Sequence, residues 1–329
     1  MGSTPNGFVD LQVNGGKGIG FSDPWLTAKQ VKRITMELAA QGTSAYCATV
    51  ITTKQEVYRE NLRVIAAAMK DPEVGQHILG IHMEGPFISS EPGAVGAHPI
   101  EHVQASDITV FDKFQKWADS KIRILTVAPE IPGCLELIRY AVAQGVIVSL
   151  GHHLASDTDL DAAVAAGARL CTHVGNGMPN QIHRHKNPLW WQLANDQVSG
   201  MFITDGHHLP ANLIKVALRA KVVRRFIVTS DASPLAGMPP GEYDIFGGLH
   251  VVLDGSGRIY SKQSESLAGS SSTMLECMNY LASLNLLTAD ELWRVGMVNP
   301  LRVLGMKPDD IAVLNGPKAI FDNNRFTLK

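Results

Sequence analysis

Eight short apolar runs, rich in β-branched residues, recur along the chain as far as residue 230. Each run is continuously hydrophobic instead of alternating, which is typical of parallel strands that are buried on both faces. The runs are FVDLQV (8–13), SAYCATV (44–50), ILGIHM (78–83), IRILTVA (122–128), VIVSLG (146–151), RLCT (169–172), VSGMFIT (198–204) and FIVTS (226–230). The pattern therefore predicts eight parallel strands.

Segments with helical periodicity separate most of these runs. The first begins at Thr27, which forms a Thr-x-x-Gln capping box with Gln30. Val31, Ile34 and Leu38 then lie on one face of the predicted helix. The other segments are 54–70, 107–119, 133–144, 157–167 and 210–221. Eight strands that alternate with helices predict an α/β fold of the (β/α)8 TIM-like barrel type.

An open, doubly wound sheet is the alternative interpretation of the same alternation. A G-x-G-x-x-G fingerprint after the first strand would favour it. The glycines at that point do not have this spacing: they are Gly15, Gly16, Gly18 and Gly20. The barrel is therefore preferred. Because the sequence contains no linker, internal repeat or low-complexity tract, we expect residues 1–329 to form a single domain.

The chain beyond the predicted barrel strands, which span about 8–231, has its own pattern. Residues 241–260 predict a β-hairpin that turns at Asp254-Gly255. Two helices follow within 273–305, and each begins with a Thr-x-x-Glu capping box, at Thr273 and at Thr288.

Composition and charge exclude several classes of protein. Lys and Arg number 29 against 31 Asp and Glu, and the resulting net charge of −2 provides no basic field for nucleic acid. No apolar stretch approaches the roughly 18 residues of a membrane span. The four cysteines, Cys47, Cys134, Cys171 and Cys277, have no CxxC spacing. This pattern predicts reduced thiols in a cytoplasmic protein.

Polar residues whose side chains can take part in catalysis or bind a metal ion stand directly after several predicted strands. They are Asn14, Glu84, His152, His173, Asp205 to His208, and Asp231. In a barrel the carboxyl ends of the strands converge on one face, where barrel active sites are built. We therefore expect these residues, distant in sequence, to be neighbours.

Glu84, His152 and His173 form a candidate metal-binding set. One carboxylate and two imidazoles supply three protein ligands and leave a fourth position for water, as in catalytic zinc sites. Each residue alone has a structural alternative, since a histidine after a strand can be a hydrogen-bonded loop residue and Glu84 can cap a turn before Gly85-Pro86. Their coincidence at strand ends favours one divalent metal ion. Zinc is preferred, and iron, manganese and cobalt stay open.

Other histidines compete for these roles. His82 is predicted to lie in the barrel interior or behind the ligands, and only one of the neighbours His152 and His153 can point into the barrel mouth. His183 and His185 have the H-x-H spacing of a metal site, but no strand precedes them. Substrate contact or loop structure is therefore favoured for that pair.

Asp231 follows the eighth strand and is the candidate proton-transfer group. A carboxylate opposite a metal-activated water can take a proton and return it to the leaving group of an amide. The structural alternative is a turn or N-cap residue before Ser233-Pro234. His208 is a candidate hydrogen-bond donor to the polarised carbonyl, and otherwise a surface loop histidine.

Nine motifs, taken in order, resemble those of the amidohydrolase superfamily and, within it, the N-acetylglucosamine-6-phosphate deacetylase family. They are GFVDLQVNGGKGIGF (7–21), HMEGPFIS (82–89), GAH (96–98), SLGHH (149–153), THVGNGMP (172–179), ITDGHH (203–208), TSDASPLAG (229–237), SLAGSSSTM (266–274) and NPLRVLG (299–305). The resemblance implies hydrolysis of N-acetylglucosamine 6-phosphate to glucosamine 6-phosphate and acetate. Another N-acylated sugar or small amide is an alternative substrate, and a non-catalytic carbohydrate-binding barrel is an alternative of a different class.

The resemblance also implies roles for single residues. Gln12-Val13-Asn14 replaces the H-x-H of many amidohydrolases, so one metal ion, held by the carboxylate and two histidines named above, is implied. Asp231 is implied as general base and acid, and His208 as the group that polarises the acetyl carbonyl. Substrate contacts are implied for Ala97, Asn176, Gly177, Asp205, Gly206, His207, Leu267, Ala268 and Gly269, with Arg184 on the phosphate.

Two departures from the family pattern change the expectation. Family members usually build a small β-sandwich from segments that flank the barrel, but here the first strand lies near residue 8 and residues 311–329 lack the usual Gly-Lys-Asp-rich stretch. We expect the sandwich to be absent or vestigial. Ser230 is an extra residue that can shift the register of Asp231 by one. The expected assembly is a homodimer that takes a small amino-sugar phosphate, with no membrane or nucleic-acid partner.

Overall fold

A computed structural model describes residues 7–262, 266–311 and 316–329. Its centre is a sheet of eight parallel strands whose order in the sheet is their order in the chain. Val13 pairs with Ala232 where the two edges of the sheet meet, so the barrel is nearly closed. The strands are β1 (Phe8–Val13), β2 (Thr43–Ile51), β3 (Ile78–Glu84), β4 (Ile122–Val127), β5 (Ile147–Leu150), β6 (Leu170–Cys171), β7 (Ser199–Ile203) and β8 (Phe226–Thr229). The predicted (β/α)8 fold and its eight strands are confirmed.

Helices follow most of the barrel strands. They are α1 (Ala28–Ala40), α2 (Gln55–Ala68), α3 (Ile108–Trp117), α4 (Cys134–Ala143), α5 (Asp157–Ala166), α6 (Pro188–Ala194), α7 (Ala211–Arg225), α8 (Met274–Ser283), α9 (Ala289–Trp293) and α10 (Asn299–Val303). α1 begins as predicted, because the Thr27 side chain accepts from the Gln30 N–H and the Gln30 side chain caps Thr27 in return. This pairing satisfies N–H groups that the first helical turn leaves without partners.

Three helical details go beyond the sequence prediction. α6 has only 7 residues, too few to show a periodicity, and it begins with an Asn187 cap followed by Pro188. α7 is kinked at Val222, where φ is 48°, next to the predicted helix end at residue 221. A π-helical segment, Arg294–Val298, joins α9 to α10.

The barrel interior has an apolar part and a polar part. Side chains from several strands, among them Val9, Leu11 and Ile124, are fully buried in one cluster with Leu301 and Leu304. The barrel also buries polar side chains, most of which lie in the carboxyl halves of their strands or just beyond them: Asp10, Gln12, His82, Thr126, Ser149 and Thr172. Hydrophobic burial therefore stabilises one end of the barrel, while the other end offers functional groups.

Residues 241–260 form a three-stranded antiparallel meander, not the single hairpin predicted. Its strands are β9 (Gly241–Ile245), β10 (Leu249–Leu253) and β11 (Ile259–Tyr260). The turn at Asp254-Gly255 is the second one. The first lies at Phe246, Gly247 and Gly248, all with positive φ. Gly247-Gly248 was an available turn signal, but the prediction missed the turn because Phe246, which occupies its first central position, is typical of a strand.

Outside the barrel and the meander, the described ranges contain two short antiparallel ribbons. Gly15–Gly16 pairs with Ile19–Gly20, and β12 (Ala319–Asp322) pairs with β13 (Arg325–Leu328). The ring of Phe326 lies 5.0 Å from Phe8 and 5.1 Å from Trp293, which fixes the second ribbon to the barrel. Within these ranges the structure shows no β-sandwich, and no helix is both long enough and apolar enough to span a membrane.

Candidate active site

Four candidate residues reach the barrel mouth from four strands. Glu84 is the last residue of β3, while His152 and His173 follow the ends of β5 and β6. Asp231 follows β8. The three residues that lie beyond their strands have positive φ values of 53°, 25° and 51°. Non-glycine residues rarely adopt such values, and those that do are concentrated at functional sites.

The side chains of Glu84, His152 and His173 converge on one point. Oε1 of Glu84 lies 3.1 Å from Nε2 of His152 and 2.9 Å from Nε2 of His173. The two Nε2 atoms are 3.0 Å apart. All three side chains are buried. Burial raises the pKa of Glu84, but hydrogen bonds and charge from the two histidines outweigh it and hold the pKa well below its usual value.

The ring nitrogens of this cluster are suited to a cation. Nδ1 of His152 lies 2.8 Å from the Ala94 carbonyl and donates to it, so Nε2 is the nitrogen that can exchange its proton for a metal ion. Among the described residues, Nδ1 of His173 has no partner. A divalent cation would replace the protons that the two Nε2 atoms share with Glu84, and it would bind both nitrogens and the carboxylate at once. The donor set therefore suits one divalent metal ion.

His98 is a site residue that the sequence reasoning missed. Its Nδ1 accepts hydrogen bonds from the hydroxyl and the N–H of Thr52, at 2.9 and 3.3 Å, so Nε2 carries the proton. Nε2 lies 4.0 Å from Oε2 of Glu84. His98 could serve as a ligand by proximity to Glu84 and His152, but its proton makes it a donor. The GAH motif (96–98) was the available signal, but it lies far from any strand end.

Asp231 faces the cleft despite the extra residue before it. The Ser230 hydroxyl donates to Asp10, which turns Ser230 toward the barrel interior. The positive φ of Asp231 then directs its carboxylate to Asn14, whose Nδ2 donates to Oδ1 at 2.7 Å. Burial, followed by the charge of Glu84, raises the pKa of Asp231 to about 8. The extra residue therefore does not move Asp231 out of the cleft, and its carboxylate is placed where it can transfer a proton.

The end of β1 supports both carboxylates with amide groups. Gln12 donates to Oε1 of Glu84 at 3.0 Å, just as Asn14 donates to Asp231. Gln12 and Asn14 stand at the two positions of the H-x-H motif, and an amide does not replace an imidazole as a metal ligand. This arrangement supports a single metal ion.

A cavity of about 160 Å³ lies over these groups. Six residues expected to contact substrate line it: Ala97, Asn176, Gly177, His208, Leu267 and Gly269. Gly177 has a further role, because a Cβ there would lie 3.1 Å from both the His152 and His173 rings. Its positive φ of 61° also disfavours other residues. Gly177 thus leaves room for the candidate metal ligands.

Comparison with known proteins agrees with this geometry. The chain is 31% identical over 303 residues to N-acetylglucosamine-6-phosphate deacetylase of Bacillus subtilis (strain 168), covering 91% of this chain and 75% of the relative. It is 29% identical to N-acetylgalactosamine-6-phosphate deacetylase of Escherichia coli O157:H7, covering 91% and 77%. No family model matches the chain.

A solved structure gives the same result. N-acetyl-D-glucosamine-6-phosphate deacetylase from Mycobacterium smegmatis superposes with a TM-score of 0.88 at 26% identity, covering 100% of this chain and 86% of that one. A mutant of that protein has been solved in complex with N-acetyl-D-glucosamine-6-phosphate. The chain belongs to the N-acetylglucosamine-6-phosphate deacetylase family.

Within this family member, Asp205 orients His208. Oδ2 of Asp205 lies 2.7 Å from Nδ1 of His208 and accepts from Ser270 at 2.9 Å. Burial raises the pKa of Asp205, but the hydrogen bond and charge of His208 outweigh it, so the pKa lies below its usual value. His207 turns away, with Nε2 3.1 Å from the Ser256 carbonyl.

Several expected substrate contacts do not line the cleft in the described part of the chain. They are Arg184, Asp205, Gly206, His207 and Ala268. Arg184 is exposed, and the Trp190 indole donates to its carbonyl. The roles implied for these residues stay predictions.

The other histidines are placed as the sequence indicated. His82 is buried in the barrel, between the Leu11 carbonyl and the Thr126 hydroxyl. His153 contacts Gln192, and His183 is exposed.

Proposed function

We propose that this protein is a metal-dependent hydrolase that removes the acetyl group from N-acetylglucosamine 6-phosphate, giving glucosamine 6-phosphate and acetate. One observation carries the proposal: three metal donor atoms lie within 3.1 Å of one another in the cleft that Asp231 also lines. The deacetylase relatives support the substrate. A non-catalytic carbohydrate-binding barrel has no need of this set of groups.

The chemistry follows from the protonation state of each group. A divalent cation on Glu84, His152 and His173 supplies Lewis acidity that polarises the acetyl carbonyl and acidifies water. Asp231 takes the proton of the attacking water, whose oxygen bonds to the acetyl carbon. The same carboxyl then protonates the nitrogen as the C–N bond breaks. Burial is the largest cause that raises the pKa of Asp231, and a raised pKa suits a carboxyl that must both accept and return a proton.

Two imidazoles are placed to donate to the carbonyl oxygen during this step. His98 presents Nε2–H beside Glu84, and His208 acts as the imidazolium, with Nδ1–H on the Asp205 carboxylate and Nε2–H available to the carbonyl oxygen. Hydrogen-bond donors that are fixed before charge develops stabilise an oxyanion most effectively. We assign the donor role to both residues.

The metal is proposed to be zinc, because one carboxylate and two imidazoles suit it, with iron, manganese and cobalt as alternatives. Elemental analysis of the purified protein tests this proposal. We expect one divalent ion per chain. Two ions at full occupancy would overturn the single-metal proposal.

The sugar and its phosphate need a separate test. We expect release of acetate from N-acetylglucosamine 6-phosphate, with less activity on the galacto epimer and on the sugar without phosphate. Arg184→Ala should raise KM for the phosphorylated sugar more than for the unphosphorylated one. Equal effects on both would show that Arg184 does not bind the phosphate. Absence of acetate release from every N-acetylated sugar phosphate would overturn the proposed function.

Cellular location and assembly are part of the proposal. All four cysteines are free and buried, which supports a reducing, cytoplasmic location. Large apolar side chains are exposed in segments that follow β1, β3 and β6, namely Trp25, Ile100 and Trp190, and they support a homodimer. Light scattering of the purified protein tests the assembly, and a monomer mass would contradict it.

A further inference from the structure

The cleft has one apolar side, which the mechanism above does not use. Ile51, Ala97 and Phe246 line it and belong to one apolar cluster, whereas polar groups and glycines, with Met178 and Leu267, form the remaining wall. Ile51 is paired with Glu84 in the register between β2 and β3. The apolar side therefore begins directly beside a candidate metal ligand.

Phe246 adopts an unfavourable backbone conformation at this wall. It lies in the first turn of the meander, where its φ is 51° and that of Gly247 is 84°. The Gly248 N–H donates to the Ile245 carbonyl at 3.0 Å, which closes a four-residue turn. Turns with two positive φ values in the centre favour Asn and Gly, not an aromatic residue.

The Phe246 side chain is nevertheless almost completely enclosed. It is 7% exposed and packs in an apolar cluster with Ile51, Leu235 and Val251. A sequence that places a bulky ring where the local backbone disfavours it breaks a local rule. Such exceptions are concentrated at functional sites, where the side chain has a task.

The chemistry of the substrate identifies that task, and this step rests on the proposed function. The acyl methyl is the only methyl group of an N-acetylated amino-sugar phosphate, and it is the apolar group bonded directly to the reacting carbonyl carbon. The acyl carbonyl would be polarised by a cation that Glu84, His152 and His173 would hold, and the methyl is bonded to that carbonyl carbon, so the methyl would lie near these three residues. The apolar side beside Glu84 is the surface that matches it.

We propose that Phe246, together with Ile51, forms the wall that limits the acyl group to the length of acetyl. Nothing in the hydrolytic step itself distinguishes acetyl from longer acyl chains, because the same amide bond is broken. The discrimination then comes from the enclosed Phe246 ring, which lies in one apolar cluster with Ile51 at the cleft wall.

The test compares kcat/KM for N-acetyl-, N-propionyl- and N-butyryl-glucosamine 6-phosphate in the wild type and in Phe246→Ala. The wild type should prefer acetyl. Removal of the ring should raise the butyryl-to-acetyl ratio of kcat/KM by about tenfold or more, as expected for two extra methylenes in an apolar pocket. Phe246→Asn removes the same ring and suits the turn, so it repeats the test in a backbone-compatible variant.

Ile245→Ala is the matched control. Ile245 is 5% exposed in the same cluster but does not line the cleft, so its truncation should leave the ratio unchanged. An unchanged ratio in active Phe246→Ala and Phe246→Asn proteins would overturn the acyl wall and leave the deacetylase function intact. A wild type without activity on the acetyl substrate would overturn both.

Discussion

Two buried carboxylates lie at the barrel mouth, Glu84 and Asp231, and their pKa values are shifted in opposite directions. Glu84 lies among imidazoles, and its pKa is held well below the usual value. Asp231 has an amide as its hydrogen-bond donor and another carboxylate as a charged neighbour, and its pKa is raised to about 8. The two groups have the same chemistry and similar burial, so the surroundings cause the difference.

This comparison separates the two roles. A carboxylate that stays ionised is a suitable ligand for a cation, and one that is protonated near neutral pH is a suitable proton carrier. Glu84 accepts a hydrogen bond from Gln12, and Asp231 accepts one from Asn14, so the end of β1 supports both carboxylates in the same way. The two imidazoles beside Glu84 therefore cause the difference in pKa. The predictions below test the two regions separately.

The largest effect is expected on the metal side. His152→Ala should abolish binding of the divalent ion and lower kcat/KM by at least about 10³-fold, because both Lewis acidity and substrate placement are lost. Metal content and acetate release measure this. His153→Ala is the matched control, because its imidazole contacts Gln192 instead of the cluster, and it should keep the ion. Equal metal loss in both variants would contradict the assignment.

The next effect concerns the proton carrier. Asp231→Asn should keep the ion and lower kcat by on the order of 10²–10⁴-fold, the range for loss of a positioned acid and base. Steady-state kinetics and metal analysis of the same preparation check it. Retention of near-full kcat, or loss of the ion, would show that Asp231 is not the proton carrier.

A smaller effect on the metal side comes from Gly177. Gly177→Ala places a methyl 3.1 Å from both ligand rings on a backbone with φ of 61°, so metal affinity should fall by about 10–100-fold. A metal titration followed by activity measures it. Gly255→Ala is the control, since nothing lies within 4 Å of its added methyl. An affinity equal to that of wild type would mean that the rings tolerate the methyl.

The smallest effect concerns the support of Asp231. Asn14 donates to the ionised carboxylate and so lowers its pKa. Asn14→Ala removes this stabilisation and raises the pKa, so less Asp231 is ionised at a given pH. The acidic limb of the kcat/KM profile should therefore move to higher pH, with a loss of roughly three- to tenfold at pH 7. A limb that stays in place or moves to lower pH would contradict this role.

Much of the barrel was predictable because its signals are local. Continuous apolar runs identified the eight strands, and the capping box at Thr27 located the start of α1. The first turn of the meander was missed because Phe246 suits a strand by residue type, and only its packing against Ile51 explains its place in a turn.

The candidate site was predictable in part for the same reason. Glu84, His152 and His173 follow strand ends, so barrel geometry alone brings them together. His98 belongs to a long loop, and its position depends on contact with Thr52, which no sequence spacing reveals. The role of Gly177 beside the ligands depends equally on three-dimensional crowding.

The buried polar residues beneath the metal donors have a consequence of their own. His82 bonds to Thr126, Thr126 to Thr172 at 2.8 Å, and Thr172 to Ser149 at 2.6 Å. Burial lowers the pKa of His82 to about 4, so this row of hydrogen-bonded side chains is uncharged at neutral pH. Because Nδ1 of the neutral His82 donates to the Leu11 carbonyl, its Nε2 accepts from Thr126, so Thr126 accepts from Thr172 and Thr172 accepts from Ser149. The floor of the site is thus a row of aligned O–H dipoles whose direction one imidazole sets before any charge develops above them.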